Sequence, residues 1–352
     1  MNVAQGRILR RFGLAASLGI AALVLTGCSS EEILRFGWPE GVTPQAERMR
    51  ELWTWSVVAA LVMGILVWAL TFWVVIAYRR RKDDPEFPRQ TAYNVPLELA
   101  YTAAPFVAVC VLFYFTVVVQ NYVLDKEDNP NVVVDVTGFQ WNWKFGYRTI
   151  DLQDGSEPYN GVDEIAQAAV EPEKFVPGED EHATPAEIHG KPAEDLSYLH
   201  FDKIETLGTS NEVPVLVLPT GKRIEFYLAS SDVIHSFWVP EFLFKRDVNP
   251  NPIENNSDPV FQISEIEREG AFVGRCAEMC GTYHAMMNFE VRAVSPEDFA
   301  RYIELRKPVE DGGEGLSNAR ALEAIGQSPV AISTHPFKTD RTDRSASVAA
   351  GE

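Results

Sequence analysis

Two apolar runs, at 52–78 and 97–123, constrain this chain more than any other feature of its 352 residues. Each exceeds the roughly 20 residues that an α-helix needs to cross a bilayer. Backbone polar groups find no water in a membrane core, so runs of this kind must satisfy them internally, as helices. Trp53 and Trp55 near one end of the first run, and Trp73 and Tyr78 near the other, suit the two membrane–water interfaces. Arg79-Arg80-Arg81-Lys82 follows at once and assigns that end to the cytoplasm. The loop at 79–96 is then cytoplasmic. The second run returns, and everything beyond residue 123 is expected outside.

The N-terminus gives the same orientation independently. Arg7, Arg10 and Arg11 form a basic region ahead of a short apolar stretch at 12–25. Leu25-Thr26-Gly27-Cys28 then resembles a lipobox, with small residues before Cys28 and polar Ser29-Ser30-Glu31-Glu32 after it. We expect a signal peptide at 1–27, a lipid anchor on Cys28 and an extracytoplasmic segment at 28–51, in a bacterial plasma membrane.

Past residue 123 the text changes to short β-branched runs at 131–137, 213–218, 223–228, 260–266 and 288–294. Pro219-Thr220-Gly221-Lys222 reads as a turn between two of them. Several short strands with Gly and Pro turns indicate a sandwich or barrel over about 124–307. Ser295-Pro296-Glu297-Asp298 reads as a helix start, with Ser295 as cap and Pro296 in the first position, running to about Arg306. From 308 to 352 the Gly-, Ser- and Ala-rich tail is expected to be mostly disordered, with a short helix near 319–325. Cys110, on an apolar helix, reads as ordinary packing.

The chemistry lies in Cys276-Ala-Glu-Met-Cys280-Gly-Thr-Tyr-His284-Ala-Met-Met287. Two thiols, an imidazole and a thioether in one loop select copper or zinc over magnesium or calcium. His235, in Ser231-Asp232-Val233-Ile234-His235-Ser236, offers a second imidazole from upstream. Three residues separate Cys276 from Cys280, so a tight loop can turn both sulfurs to one side, where they can bridge two coppers. His235 and His284 supply one imidazole each, with Met287 and the Glu278 carbonyl as weak axial donors. Other readings exist. A disulfide here closes a very short loop and stabilises little. Zinc accepts two Cys and two His but has no use for Met287. A single blue copper leaves one Cys unexplained.

These residues resemble subunit 2 of the haem-copper cytochrome c oxidases. The resemblance implies a two-helix transmembrane hairpin plus an all-β cupredoxin-like Greek-key barrel domain carrying the dinuclear copper centre CuA. It places the ligands on His235, Cys276, the Glu278 carbonyl, Cys280, His284 and Met287, with His235 and Met287 on one copper and His284 and the Glu278 carbonyl on the other. It picks Met287 over Met286 by the family's His-x2-Met spacing. In Phe139-Gln140-Trp141-Asn142-Trp143 it makes Trp141 the residue where electrons enter, although Phe139 replaces a histidine common in the family. Glu98, in Pro96-Leu97-Glu98-Leu99, corresponds to a glutamate at the cytoplasmic mouth of the proton pathway named for a lysine in subunit 1; it also suits a helix start. The Glu278 carboxylate corresponds to a ligand of magnesium or manganese shared with subunit 1. The implied function is to take electrons from cytochrome c and pass them to haem in subunit 1, where dioxygen is reduced to water with proton pumping. Subunits 1 and 3 are the implied partners. A quinol oxidase relative lacks the copper ligands, nitrous oxide reductase needs a large propeller domain, and a copper carrier leaves the spans, Glu98 and Trp141 without purpose.

One departure from the family stands out. Residues 151–212 hold sixteen acids against three lysines where a short connection is usual, and such a composition argues against a core of its own. We expect loops at 151–161 and 171–181, and His182, His189 and His200 on a solvated surface. The whole chain has a net charge of -19, which excludes nucleic acid and favours a basic protein partner. An acidic insertion near the point of electron arrival suits docking of a cytochrome c, soluble or membrane-tethered within a cytochrome bc complex supercomplex.

Overall fold

Apolar sequence without interruption gives helix without interruption. The computed structural model describes residues 30–81, 84, 87, 90, 92–170, 196–309 and 313–336. The expected signal peptide, Cys28, His182 and His189 lie outside the described residues. A short helix, α1 (Ser30–Leu34), precedes α2 (Pro44–Ala77) and α3 (Val95–Val123), both apolar and long enough to cross a membrane. At 1.5 Å per residue α2 reaches about 50 Å against a hydrocarbon core of about 30 Å, so its first turns lie outside that core. It starts at Pro44, before the apolar run, because Thr43 caps it: the Thr43 hydroxyl accepts the Ala46 N–H at 3.1 Å. Asn94 does the same for α3, accepting from Leu97 N–H at 3.3 Å.

The chain divides into two units. In the helical unit, Trp53 stacks on Trp38 with ring centres 5.0 Å apart and donates its indole N–H to the Arg35 carbonyl at 3.1 Å. That arrangement keeps an aromatic body apolar and its polar tip satisfied. Residues 41–49 and 117 onward form the second unit. There Gln45 exchanges two hydrogen bonds with Ser264 (2.7 and 3.2 Å), and Val42 bonds to Glu241 and Glu267 through its backbone.

The second unit is built from two sheets. The first holds β1 (Val132–Phe139), β2 (Asn142–Ile150), β3 (Tyr159–Asn160), β4 (Glu205–Leu207), β6 (Ile224–Ser230) and β9 (Val260–Ile263), in the order β3-β2-β1-β6-β9 with β4 also on β2. The second runs β5 (Val215–Pro219), β11 (Asn288–Val294), β10 (Gly270–Cys276), β7 (His235–Val239), β8 (Phe244–Val248). Among the paired strands of the described residues, β1–β6 and β5–β11 run parallel. Two mostly antiparallel sheets with such crossovers make the cupredoxin-like Greek key. Val132, Val134 and Val136 from one sheet and Phe237, Phe289 and Val291 from the other meet in one apolar core. Pro296–Arg306 (α5) begins as its sequence requires, with Ser295 Oγ accepting Asp298 N–H at 3.1 Å.

Three expectations change. The loop expected at 151–161 ends in β3, the loop expected at 171–181 lies outside the described residues, and elsewhere in the insertion a short helix α4 (Glu164–Ala169) and β4 form, with Leu152, Leu199 and Ile204 buried. Alternation of scattered apolar residues with acids hid these contacts. His200 is not a solvated histidine. Its Nδ1 lies 2.9 Å from Asp135 Oδ1, Arg148 touches both, and its ring packs on Tyr227. Finally, 313–336 is ordered. Asn318–Ala324 forms α6, with Ala321 and Leu322 fully buried, and the following segment is held by the buried Glu290–Arg292 pair. Glu290 Oε2 accepts the N–H groups of Ile332 (2.7 Å) and Ser333 (2.6 Å), while Arg292 donates to the Ser328 and Val330 carbonyls.

Candidate metal centre

The ladder between β7 and β10 brings the donors together. Cys276 ends β10 and pairs with Phe237, two residues from His235 at the start of β7. Ala277 N–H bonds to Ser236 O at 3.0 Å, and Cys276 N–H to Met287 O at 3.1 Å, so the loop 276–287 is pinned at both ends. Gly281 turns it with φ +116°, a conformation that side chains rarely adopt. Gly138 on β1 lets His235 approach: a Cβ there would lie 2.9 Å from the imidazole.

Cys276 Sγ lies 3.8 Å from Cys280 Sγ, 3.8 Å from His235 Nδ1 and 3.2 Å from the Glu278 carbonyl oxygen. Cys280 Sγ lies 3.6 Å from His284 Nδ1 and 3.9 Å from Met287 Sδ. All six expected donors therefore converge, and Met287 rather than Met286 turns inward. A disulfide has its sulfurs about 2.05 Å apart, so these thiols are not joined. Metal–thiolate bonds are about 2.3 Å long, and one ion can therefore touch both sulfurs across 3.8 Å. His235, Cys276 and Cys280 are buried and form the one group among the described residues whose donor atoms all meet closely enough for a metal ion. Two thiols, two imidazoles, a thioether and a carbonyl are compatible with copper.

The two thiols differ electrically. Burial opposes ionisation of Cys276, but hydrogen bonds from His235 and the neighbouring backbone outweigh it and bring the thiol down to about 7. Burial and the adjacent Cys276 push Cys280 up to about 12. The first proton leaves easily and the second only against a compensating cation. Asp232 Oδ1 accepts from His235 Nε2 at 2.8 Å, which turns Nδ1 toward the sulfurs, where its lone pair would serve a metal once its proton is lost. Burial favours a neutral His235, yet the Asp232 bond prevails and raises its pKa. Burial likewise works against an ionised Asp232, and the bond from His235 overcomes it and lowers that carboxyl.

The aromatic segment divides into two roles. Trp143 is fully buried against Phe237 and Phe289, with its indole N–H on the Met287 carbonyl at 3.3 Å. Trp141 is half-buried at the rim. Its indole N–H donates to the Cys280 carbonyl at 3.0 Å, and its ring meets Tyr283 edge to face at 5.0 Å. A groove of about 440 Å³ runs beside it, between Tyr283 and Met286 on one side and Thr209 and Glu212 of the insertion on the other. Glu98 lies in the helical unit, where its carboxylate accepts the Asn94 N–H at 2.9 Å and closes the start of α3. Asp232 stands behind His235 rather than among the metal donors, and Gln140 is a supporting residue that sequence reasoning passed over. Gln140 meets Asp232 and Cys280, far away in the chain, and no local spacing signals that.

Residues 192–294 match the family described as cytochrome C oxidase subunit II, periplasmic domain. The chain is 67% identical over 355 residues to a probable cytochrome c oxidase subunit 2 of Nocardia farcinica, covering 99% of this chain and 93% of that protein. It is 55% identical to the cytochrome c oxidase subunit 2 of Mycobacterium tuberculosis, covering 95% and 91%. For the corresponding protein of Corynebacterium glutamicum the identity is 51%, covering 95% and 94%.

Proposed function

The chain belongs to the cytochrome c oxidase subunit 2 family, and on that premise we propose that it is the electron-accepting subunit of a proton-translocating oxidase. It takes single electrons from cytochrome c at a dinuclear CuA centre and hands them to haem in subunit 1, where dioxygen becomes water. The ligands are His235, Cys276, the Glu278 carbonyl, Cys280, His284 and Met287. The observation that carries this reading is the pair of sulfurs 3.8 Å apart with an imidazole Nδ1 beside each. Held by these residues, a copper pair would supply a one-electron carrier.

The chain's own residues prepare that chemistry. Cys276, with its thiol near 7, offers a thiolate at neutral pH, and Cys280 gives up its proton as the cations arrive. Asp232 fixes the His235 tautomer and ring orientation. The core packing of Trp143, Phe237 and Phe289 keeps the donor frame rigid, so little has to move when the charge changes. Trp141, half-exposed and bonded to the Cys280 carbonyl, receives the electron from the donor.

The remaining assignments follow from family membership together with the sequence. Glu98 stands at the cytoplasmic mouth of the proton pathway. The Glu278 carboxylate contributes to a magnesium or manganese site with subunit 1. Residues 1–27 are removed on export and Cys28 carries the lipid, with the copper domain outside the plasma membrane. Subunits 1 and 3 complete the enzyme. The acidic insertion borders the groove beside Trp141, which supports docking of a cytochrome c, membrane-tethered in a supercomplex with a cytochrome bc complex. The test is Cys276→Ser and Cys280→Ser in the intact oxidase, followed by oxygen uptake with the cytochrome donor. Both variants should lose that activity; a normal rate in either one overturns the reading.

A further inference from the structure

We infer that Gln140 is a positioning residue that holds Trp141 on the Cys280 loop and ties that loop to the His235 loop; this rests on the electron-accepting role proposed for Trp141. The backbone N–H of Gln140 donates to Asp232 Oδ2 at 2.6 Å, and the other oxygen of that carboxylate accepts from His235 Nε2 at 2.8 Å. The side-chain amide of Gln140 donates to the Cys280 carbonyl at 2.7 Å. Trp141 donates its indole N–H to the same oxygen at 3.0 Å. A carbonyl oxygen has two lone pairs and accepts both donors without competition. One residue thus bonds toward both loops that carry the thiol and imidazole donors, and its neighbour is the tryptophan on the rim.

The chain after Cys280 is shaped for this contact. A Cβ at Gly281 would stand 3.2 Å from both Gln140 Nε2 and Trp141 Nε1, closer than most side chains tolerate. The glycine therefore permits two donors to lie flat against its preceding carbonyl. Trp141 is half-buried, and its edge contact with Tyr283 gives it little directional hold. With the Gln140 amide removed, the segment keeps the indole bond alone on that side. Apart from its apolar packing, Trp141 is then oriented by one hydrogen bond, and a functional side chain with so little directional support loses its geometry more readily.

The test uses the intact oxidase and the variants Gln140→Leu, Trp141→Phe and both together. Leucine keeps the bulk and removes the donor, while the backbone bond to Asp232 stays. Copper content and the visible spectrum of Gln140→Leu should match the parent. Its maximal rate with cytochrome c should fall about threefold to tenfold, the population loss that goes with one neutral hydrogen bond, at unchanged KM. In the Trp141→Phe background the same change should cost nothing further, because both act through one side chain. In the metal-free chain, the isotope-labelled indole N–H resonance of Trp141, identified by its loss in Trp141→Phe, should shift and broaden in Gln140→Leu. An unchanged resonance, an unchanged rate, a loss of copper, or effects that multiply in the double variant each overturn the inference. If Trp141→Phe is itself as fast as the parent, the electron-accepting role of Trp141 falls with it. If Trp141→Phe is slow and Gln140→Leu is not, only the positioning role falls.

Discussion

Cys276 and Cys280 show how much of the centre one residue type and one spacing can announce. Thiols four positions apart, followed by His284 and Met287, leave few arrangements that satisfy every donor, and the fold brings those atoms to within 3.2–3.9 Å. Asp232 was legible only in part. It lies three residues before His235, close enough to suspect, but its acceptance of the Gln140 N–H crosses 92 positions and has no local pattern. Removing it tests its share. Asp232→Asn should keep the fold but weaken copper affinity by about 10–100-fold, because the tautomer of His235 is no longer enforced. Chelator competition on the full-length chain measures this, and unchanged affinity would remove Asp232 from the design.

At the level of elements, the root of the insertion is fixed to β1 and β2 by charge as well as by apolar contact. Asp202 lies over Gly146, beside Asp135, with Glu205 and Arg148 also facing it. Burial, then the Asp135 charge, pushes its carboxyl up to about 8. A carboxyl with a raised folded pKa holds its proton more tightly folded than unfolded, so its contribution is full below about 4 and is lost as pH rises through about 8. Asp202→Asn, which mimics the protonated form, should leave the thermal midpoint nearly unchanged at acid pH. Above the folded pKa it should raise the midpoint, by roughly 2–4 °C for each kcal/mol relieved. A gain of the same size at both ends of that range would refute the raised pKa of Asp202. The C-terminal strap invites a second test. Truncation after Gly326 leaves the buried Glu290 and Arg292 without the partners that Ser328, Val330, Ile332 and Ser333 supply. The Glu290–Arg292 pair stays joined but loses these hydrogen bonds, each worth about 1.5–3 kcal/mol to a charged group less what water restores, so unfolding of the truncated chain should begin several degrees lower. Composition hid this strap, since small and polar residues at 313–336 carry no periodic signal. The strands β7, β8 and β10 were equally hard to read. Charged residues such as Lys245, Asp247 and Arg275 sit on the exposed faces of β8 and β10, and the identity of all three as strands is set by pairing rather than propensity.

For the molecule as a whole, the sequence was most explicit where solvent leaves least choice. Apolar length and a basic flank define two membrane-length helices, and alternation of β-branched runs defines a two-sheet domain, whereas the order of its strands needs long-range pairing. The net charge of -19 belongs to this scale too. Deleting 171–195 alone spares the packed root at 151–170 and 196–212. It should leave thermal stability and the copper spectrum intact while slowing turnover with a basic cytochrome c, and the deficit should shrink as salt screens the attraction. A deficit independent of salt would argue against electrostatic docking. The most direct measurement of the central claim is electron paramagnetic resonance of the full-length copper-loaded chain, with metal and protein quantified on the same sample. One unpaired electron shared by two equivalent copper nuclei, at two coppers per chain, is the expected result. A spectrum confined to a single copper nucleus, or a site filled by zinc, would contradict it.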